Sequence, residues 1–144
     1  MAKQKTGKMR RVFEEVWNQK RLDLINETHA PDFVWHGPPT QGEHRGPAAY
    51  REFVAGLITV YPDMHFVIED EIATGDREVI RWTETGTQKG EFSGIAPTGR
   101  KVSNSGISIV RLSRGKIAEE WVRWDTMDMM QQLGAIAPTE SGQK

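Results

Sequence analysis

The chain has 144 residues, close to the commonest size for one domain, and folding would bury roughly two thirds of its surface, which leaves no room for two cores. Nineteen Lys and Arg against 20 Asp and Glu give a formal charge of -1, so the chain shows no nucleic-acid footprint, and no apolar run approaches the roughly 20 residues of a membrane span. Zero cysteines exclude disulfides, thiol catalysis and Cys-ligated metals, and the lack of an apolar N-terminal stretch points to a cytoplasmic protein.

Residues 1–8 carry Lys3, Lys5 and Lys8 without an interleaved aromatic, so they read as a solvated basic tail rather than a nucleic-acid arm. Residues 137–144 read as a second tail, which leaves 9–136 as a single domain. Met9, Val12, Phe13, Val16 and Trp17 fall at helical spacing. Leu22, Leu24 and Ile25 suggest a short second helix. Asp32 to His36 reads as a strand broken by Gly37-Pro38-Pro39. Gly46-Pro47 opens a helix whose buried stripe is Tyr50, Phe53, Val54, Leu57 and Ile58, and Pro62 stops it.

Beyond Pro62 the period changes to two. Residues 64–73, 78–88, 101–112 and 116–125 predict antiparallel strands of one sheet, with turns at Gly75-Asp76 and Ser113-Arg114-Gly115. Met127, Met130 and Leu133 predict a last short helix closing at Gly134. Helices followed by a strand meander form the α+β signature. The expectation is one curved antiparallel sheet of four to six strands, with about three helices on its concave face and a pocket between them.

The segments YPDMHFVIED (61–70), GEFSGIAPTGRKV, RLSRGKIAEEWVRWD and QQLGA, in that order, resemble the SnoaL-like polyketide cyclases of the nuclear transport factor 2-like superfamily, over roughly residues 9–136. The resemblance implies a cone-shaped α+β barrel and a cofactor-free intramolecular aldol ring closure on a polyketide ester. It also implies that an aspartate near the end of the last long strand, here Asp125, is the general acid/base. The superfamily holds isomerases, hydrolases and non-catalytic binding domains as well, so an isomerase, a hydrolase or a small-molecule-binding module stands as the alternative.

From the residues alone, Glu119, Trp121, Arg123 and Asp125 share one face of the last strand, and Ala118, Glu120, Val122 and Trp124 share the other. A carboxylate at the inner end of an aromatic-lined strand is desolvated, which suits proton transfer. Asp125 is equally a good N-cap for the helix that follows. Arg123 either steadies an enolate or forms a surface ion pair. His36, at the end of the first strand, either relays a proton at the cone's mouth or is structural. Trp121, Trp17 and Phe53 are assigned to the substrate pocket beside Asp125. His29, His44 and His65 read as surface or loop residues. No HxxxH or HxH pair suggests a metal, and no glycine-rich motif precedes a helix, so neither metal nor cofactor is expected. The expected partners are an apolar small molecule and a second copy of the chain. The dimer is expected through an outer sheet face carrying Ala118, Val122 and Trp124.

Overall fold

The two periods of the sequence become two layers in the computed structural model, which describes residues 7–137; the expected tails fall mainly on 1–6 and 138–144, outside the described residues. Helix α1 (Lys8–Arg11) runs directly into a π-helical turn over Val12–Asn18, and Val12, Phe13, Val16 and Trp17 are all buried there. Glu78 anchors the start of α1, its carboxylate accepting the backbone N–H groups of Lys8 and Met9 at 3.0 and 2.9 Å. Those are donors that no preceding turn of helix could satisfy. A tight turn at Leu22–Leu24 leads into α2 (Ile25–Thr28). Pro47 lies in the first turn of α3 (Gly46–Val60), where a missing N–H costs nothing. Helix α4 (Thr126–Gln132) ends before Gly134, which adopts a φ of 82°.

The sheet has six strands: β1 (His29–His36), β2 (Glu43–Arg45), β3 (His65–Thr74), β4 (Arg77–Thr87), β5 (Lys101–Ser113) and β6 (Lys116–Trp124). Their order is β2-β1-β6-β5-β4-β3. The meander β3 to β6 is antiparallel throughout, as expected. One pairing departs from the expectation: β1 runs parallel to β6, with Val34 opposite Glu119 and His36 opposite Trp121, so the curved sheet is mixed. The intervening helices and meander supply the long crossover that a parallel neighbour requires. The short edge strand β2, pairing with the end of β1, lies between Gly37-Pro38-Pro39 and Gly46-Pro47, where the sequence predicts no element. Among the described residues four helices, rather than about three, accompany the sheet.

Strand β5 fixes which face is which. Val102, Asn104, Gly106, Ser108 and Val110 are buried, while the residues between them are exposed. Paired residues share a face. Val110 pairs with Glu120, Ser108 with Val122, and Gly106 with Trp124, so Glu120, Val122 and Trp124 lie on the inner, helix-covered face. Trp82 lies inside as well, directly over Gly106, where an added Cβ would stand 2.3 Å from the indole.

Candidate active site

Helices and sheet enclose a cavity in which ten of the sixteen lining residues are aromatic, four of them tryptophan. The π-helical turn contributes Phe13 and Trp17, α3 contributes Tyr50, Phe53 and Leu57, and the inner sheet face contributes Trp35, Trp82 and Trp124. Phe92, from the loop between β4 and β5, closes one side against Tyr61, with ring centroids 5.6 Å apart. The fully buried Gln88 holds that loop, its amide donating to the carbonyls of Gly90 and Ile95 and its oxygen accepting from Thr98. The atom-free space is about 510 Å³ when the part open to solvent is counted, yet only about 40 Å³ is roomy enough for water, a few molecules' worth. Phe53, Leu57 and Trp124 are half-buried and mark the mouth. A ring-sized ligand must spread them.

Two carboxyl groups face this apolar space. Glu120, 2% exposed, keeps its Oε1 buried with no hydrogen-bond partner among the described residues. Burial pushes its pKa up to about 8, against the opposing pull of a hydrogen bond from Ser108. Desolvation wins. The Ser108 hydroxyl in turn accepts the Trp82 indole N–H at 3.1 Å. Glu84 is pushed up to about 7 by burial alone. The buried Tyr50 phenol is raised by desolvation first and by the nearby Glu120 second, while a hydrogen bond with Trp17 works the other way.

The two carboxyls do not form a dyad. Glu120 sits on the sheet rung shared with Val110 and Glu78, whereas Glu84 pairs with Asn104, six residues further along β4 than Glu78. At about 3.3 Å per residue that is roughly 20 Å along the strands, so the groups stand toward opposite ends of the cavity and titrate independently.

The structure brings together only part of the site read from the sequence. Trp17 and Phe53 line the cavity and meet edge to face at 6.4 Å. Trp121 and Arg123 do not: the register places both on the outer face, with Arg123 exposed and donating to the carbonyls of Gly37 and Val122. His36 also lies outside, between Glu119 and Glu43 at 2.7 and 3.0 Å and stacked on Trp121. Asp125 is exposed, outside the lining, and its Oδ1 accepts the backbone N–H of Asp128 at 3.0 Å. It is the N-cap of α4. The catalytic assignment of Asp125 is therefore withdrawn: the strand ends at Trp124, and the next residue turns out of the sheet to start a helix. His29, expected at the surface, is buried against Phe33 and Tyr50, and burial lowers its pKa to about 4.

Sequence reasoning passed over Glu84 and Glu120. Their signal was a glutamate recurring at period two among apolar inner residues: Trp82, Glu84, Gly86 on one strand and Ala118, Glu120, Val122 on another. A strand glutamate in such company is buried at a cost that structure alone does not repay. Among the described residues no three His, Cys, Asp or Glu side chains group to hold a metal ion, and no helix is long and apolar enough to cross a membrane.

Known proteins match this architecture along nearly its whole length. Residues 7–133 match the SnoaL-like polyketide cyclase family. Nogalonic acid methyl ester cyclase of Streptomyces nogalater is 25% identical over 131 residues, covering 88% of this chain and 95% of that one. IdmH of Streptomyces antibioticus, a candidate polyketide cyclase, superposes with a TM-score of 0.77 at 30% identity, covering 88% of this chain and 96% of its own. A candidate SnoaL-like polyketide cyclase of Jannaschia sp. CCS1 superposes with a TM-score of 0.82 at 24% identity, over 96% of this chain and 100% of its own, and speaks to the fold.

Proposed function

The chain belongs to the SnoaL-like polyketide cyclase family, and from that premise we propose that it is a cofactor-independent enzyme closing a ring in a small apolar polyketide ester, with Glu120 moving the proton. The observation that carries the reading is Glu120, which lines an aromatic cavity and whose buried Oε1 has no hydrogen-bond partner among the described residues. With a pKa near 8, the group is mostly neutral at pH 7 yet holds enough carboxylate to act as a base. The carboxylate takes a proton from the carbon between two carbonyls of the substrate. The electron pair left behind attacks a second carbonyl carbon of the same molecule, forming the ring bond. The neutral carboxyl then returns its proton to the new alkoxide, so the enzyme ends as it began. Glu84, at the far end, supplies a hydrogen bond to a remote carbonyl while it is protonated.

A purely binding role would be the better reading if Asp125 capped a helix and no other ionisable group faced the cavity. The first condition is met; Glu84 and Glu120 defeat the second. The experiment is to incubate the protein with nogalonic acid methyl ester and follow ring closure by chromatography. E120Q should lower the rate on the order of a hundredfold to ten-thousandfold while D125N leaves it near the starting value. An E120Q protein of full activity would overturn the assignment.

The same proposal includes a cytoplasmic setting and a homodimer. Its outer-face motive is not the one read from the sequence, because Ala118, Val122 and Trp124 face inward. In their place Ile72, Val79, Ile109 and Trp121 form one continuous cross-strand row on the exposed face, with Ile107 on the next. Ile72, Ile107 and Ile109 are 61%, 48% and 41% exposed, an apolar patch of the kind that marks an interface.

A further inference from the structure

We propose that the cavity selects its ligand by charge: it accepts an aromatic compound bearing a protonated amine, which pairs with Glu120, and refuses one bearing a carboxylate. This goes beyond the ring-closure reading, and its probes contain nothing that can cyclise, so the two succeed or fail separately. Three observations converge on it. Among the described residues no Lys, Arg or His lines the cavity, so none of them compensates an anion there. The polar groups that do line it are two glutamates, a serine and two tyrosines, and the Oε1 of one of them, Glu120, is buried with no hydrogen-bond partner among the described residues. The walls are indole, phenol and phenyl faces, whose quadrupoles present negative charge to whatever lies between them. Ring faces and carboxyls therefore carry the same sign of potential, and a cation is the charge that complements both. An anion would lose its hydration, meet π-faces and find no counter-ion.

The amine fits a vacancy in the hydrogen bonding. Ser108 serves Trp82 and opposes the desolvation of Glu120, and Tyr50 is engaged by Trp17, which leaves Oε1 for the ligand. The other titratable groups around Glu120 are Tyr50 on α3, Glu78 already bonded to the start of α1, and His29 and His44 behind Tyr50 and Trp35, while Glu84 lines the far end of the cavity. None of them supplies a fixed cation. An arriving ammonium stabilises the carboxylate form, so near pH 7 the neutral carboxyl gives up its proton to solvent as the ligand seats.

Indole, tryptamine and indole-3-acetate share one ring system and differ in charge, and the five tryptophans of the chain permit near-ultraviolet circular dichroism and calorimetry as readouts. At pH 7 tryptamine should bind about tenfold more tightly than indole, with indole-3-acetate weakest. Calorimetry in buffers of different ionisation enthalpy should find close to one proton released per tryptamine bound and none for indole. E120Q should bring tryptamine down to the affinity of indole and abolish the release. Equal affinity for the three probes, preference for the acetate, or no binding of tryptamine at millimolar concentration would each overturn the inference. Should E120Q fail to fold, the order of the three probes and the proton count on the unaltered protein decide the matter.

Discussion

Glu120 stands in register with Trp35 across the parallel β1–β6 pair, so a carboxyl whose pKa burial pushes up to about 8 lies beside an indole on the inner face of the sheet. Both Glu120 and Glu84 have folded-state pKa values above the ordinary value of 4.5, at about 8 and about 7. An acid raised in this way leaves stability intact below about pH 4.5, and the stability declines as pH rises through the folded value, because the unfolded chain ionises first. E120Q removes the charge that burial opposes. Its melting temperature should match the parent near pH 5 and exceed it by several degrees near pH 9. E84Q should begin to exceed the parent at the same pH, but its gain should level off about one pH unit lower and be smaller. A difference that stays flat from pH 5 to 9 would show that neither carboxyl is held neutral by burial.

Asp125 acts on α4 rather than on substrate. D125A should cost about 1 kcal/mol of stability, the usual worth of an N-cap, and D125N much less. Denaturant unfolding reads this directly. The Asn104 side chain holds the same junction from the sheet side, its amide donating to the Asp125 carbonyl at 2.9 Å and its oxygen accepting the Asp125 N–H at 3.2 Å, so the helix start survives the loss of the cap. A D125A protein with unchanged stability contradicts the capping role.

The meander and α3 were legible because alternation and the Pro47 and Pro62 signals survive in the sequence. The faces of β6 were not. Each face carries one tryptophan and one glutamate among mixed neighbours, so hydrophobicity could not separate Glu119-Trp121-Arg123 from Glu120-Val122-Trp124. Strand β5 runs against hydrophobic order altogether: Ile107 and Ile109 are exposed while Asn104 and Ser108 are buried. The buried pair bond to the β6–α4 junction and to Trp82, and the exposed isoleucines belong to the outer row. The pairing with β5, whose own buried face runs against hydrophobic order, settles which way β6 faces, and the parallel register with β1 agrees with it. The site residues went astray with that face: Trp121, Arg123 and His36 lie outside it, while Trp17 and Phe53, whose helical spacing marks a buried stripe, line the cavity.

Gly106 is the one position in β5 where a side chain cannot be accommodated, since its Cβ would also lie 2.7 Å from the Arg123 carbonyl. G106A should push Trp82 from its seat and cost about 1–3 kcal/mol, the usual penalty of overpacking a core. Because Trp82 lines the cavity and bonds Ser108, the near-ultraviolet circular dichroism should change with the stability. A variant as stable as the parent, with unaltered aromatic signal, contradicts this packing.

The outer row offers the sharpest test of assembly. Ile109 sits between Val79 on β4 and Trp121 on β6, and its side chain points away from the cavity, so I109D puts a charge in the middle of the apolar patch without touching the core. Arg77, which stacks 5.6 Å from the Trp121 ring, and the ion pair of Arg111 with Glu119 border the patch and make it charged at the rim and apolar at the centre, as interfaces between copies are. Sedimentation at tens of micromolar should give a dimer for the parent and a monomer for I109D, with the same helix and strand content by circular dichroism. Loss of a central apolar contact and burial of an unpaired carboxylate act in the same direction and together should weaken association at least about a hundredfold. A monomeric parent protein, or an I109D protein that sediments as the parent does, removes this face from the assembly.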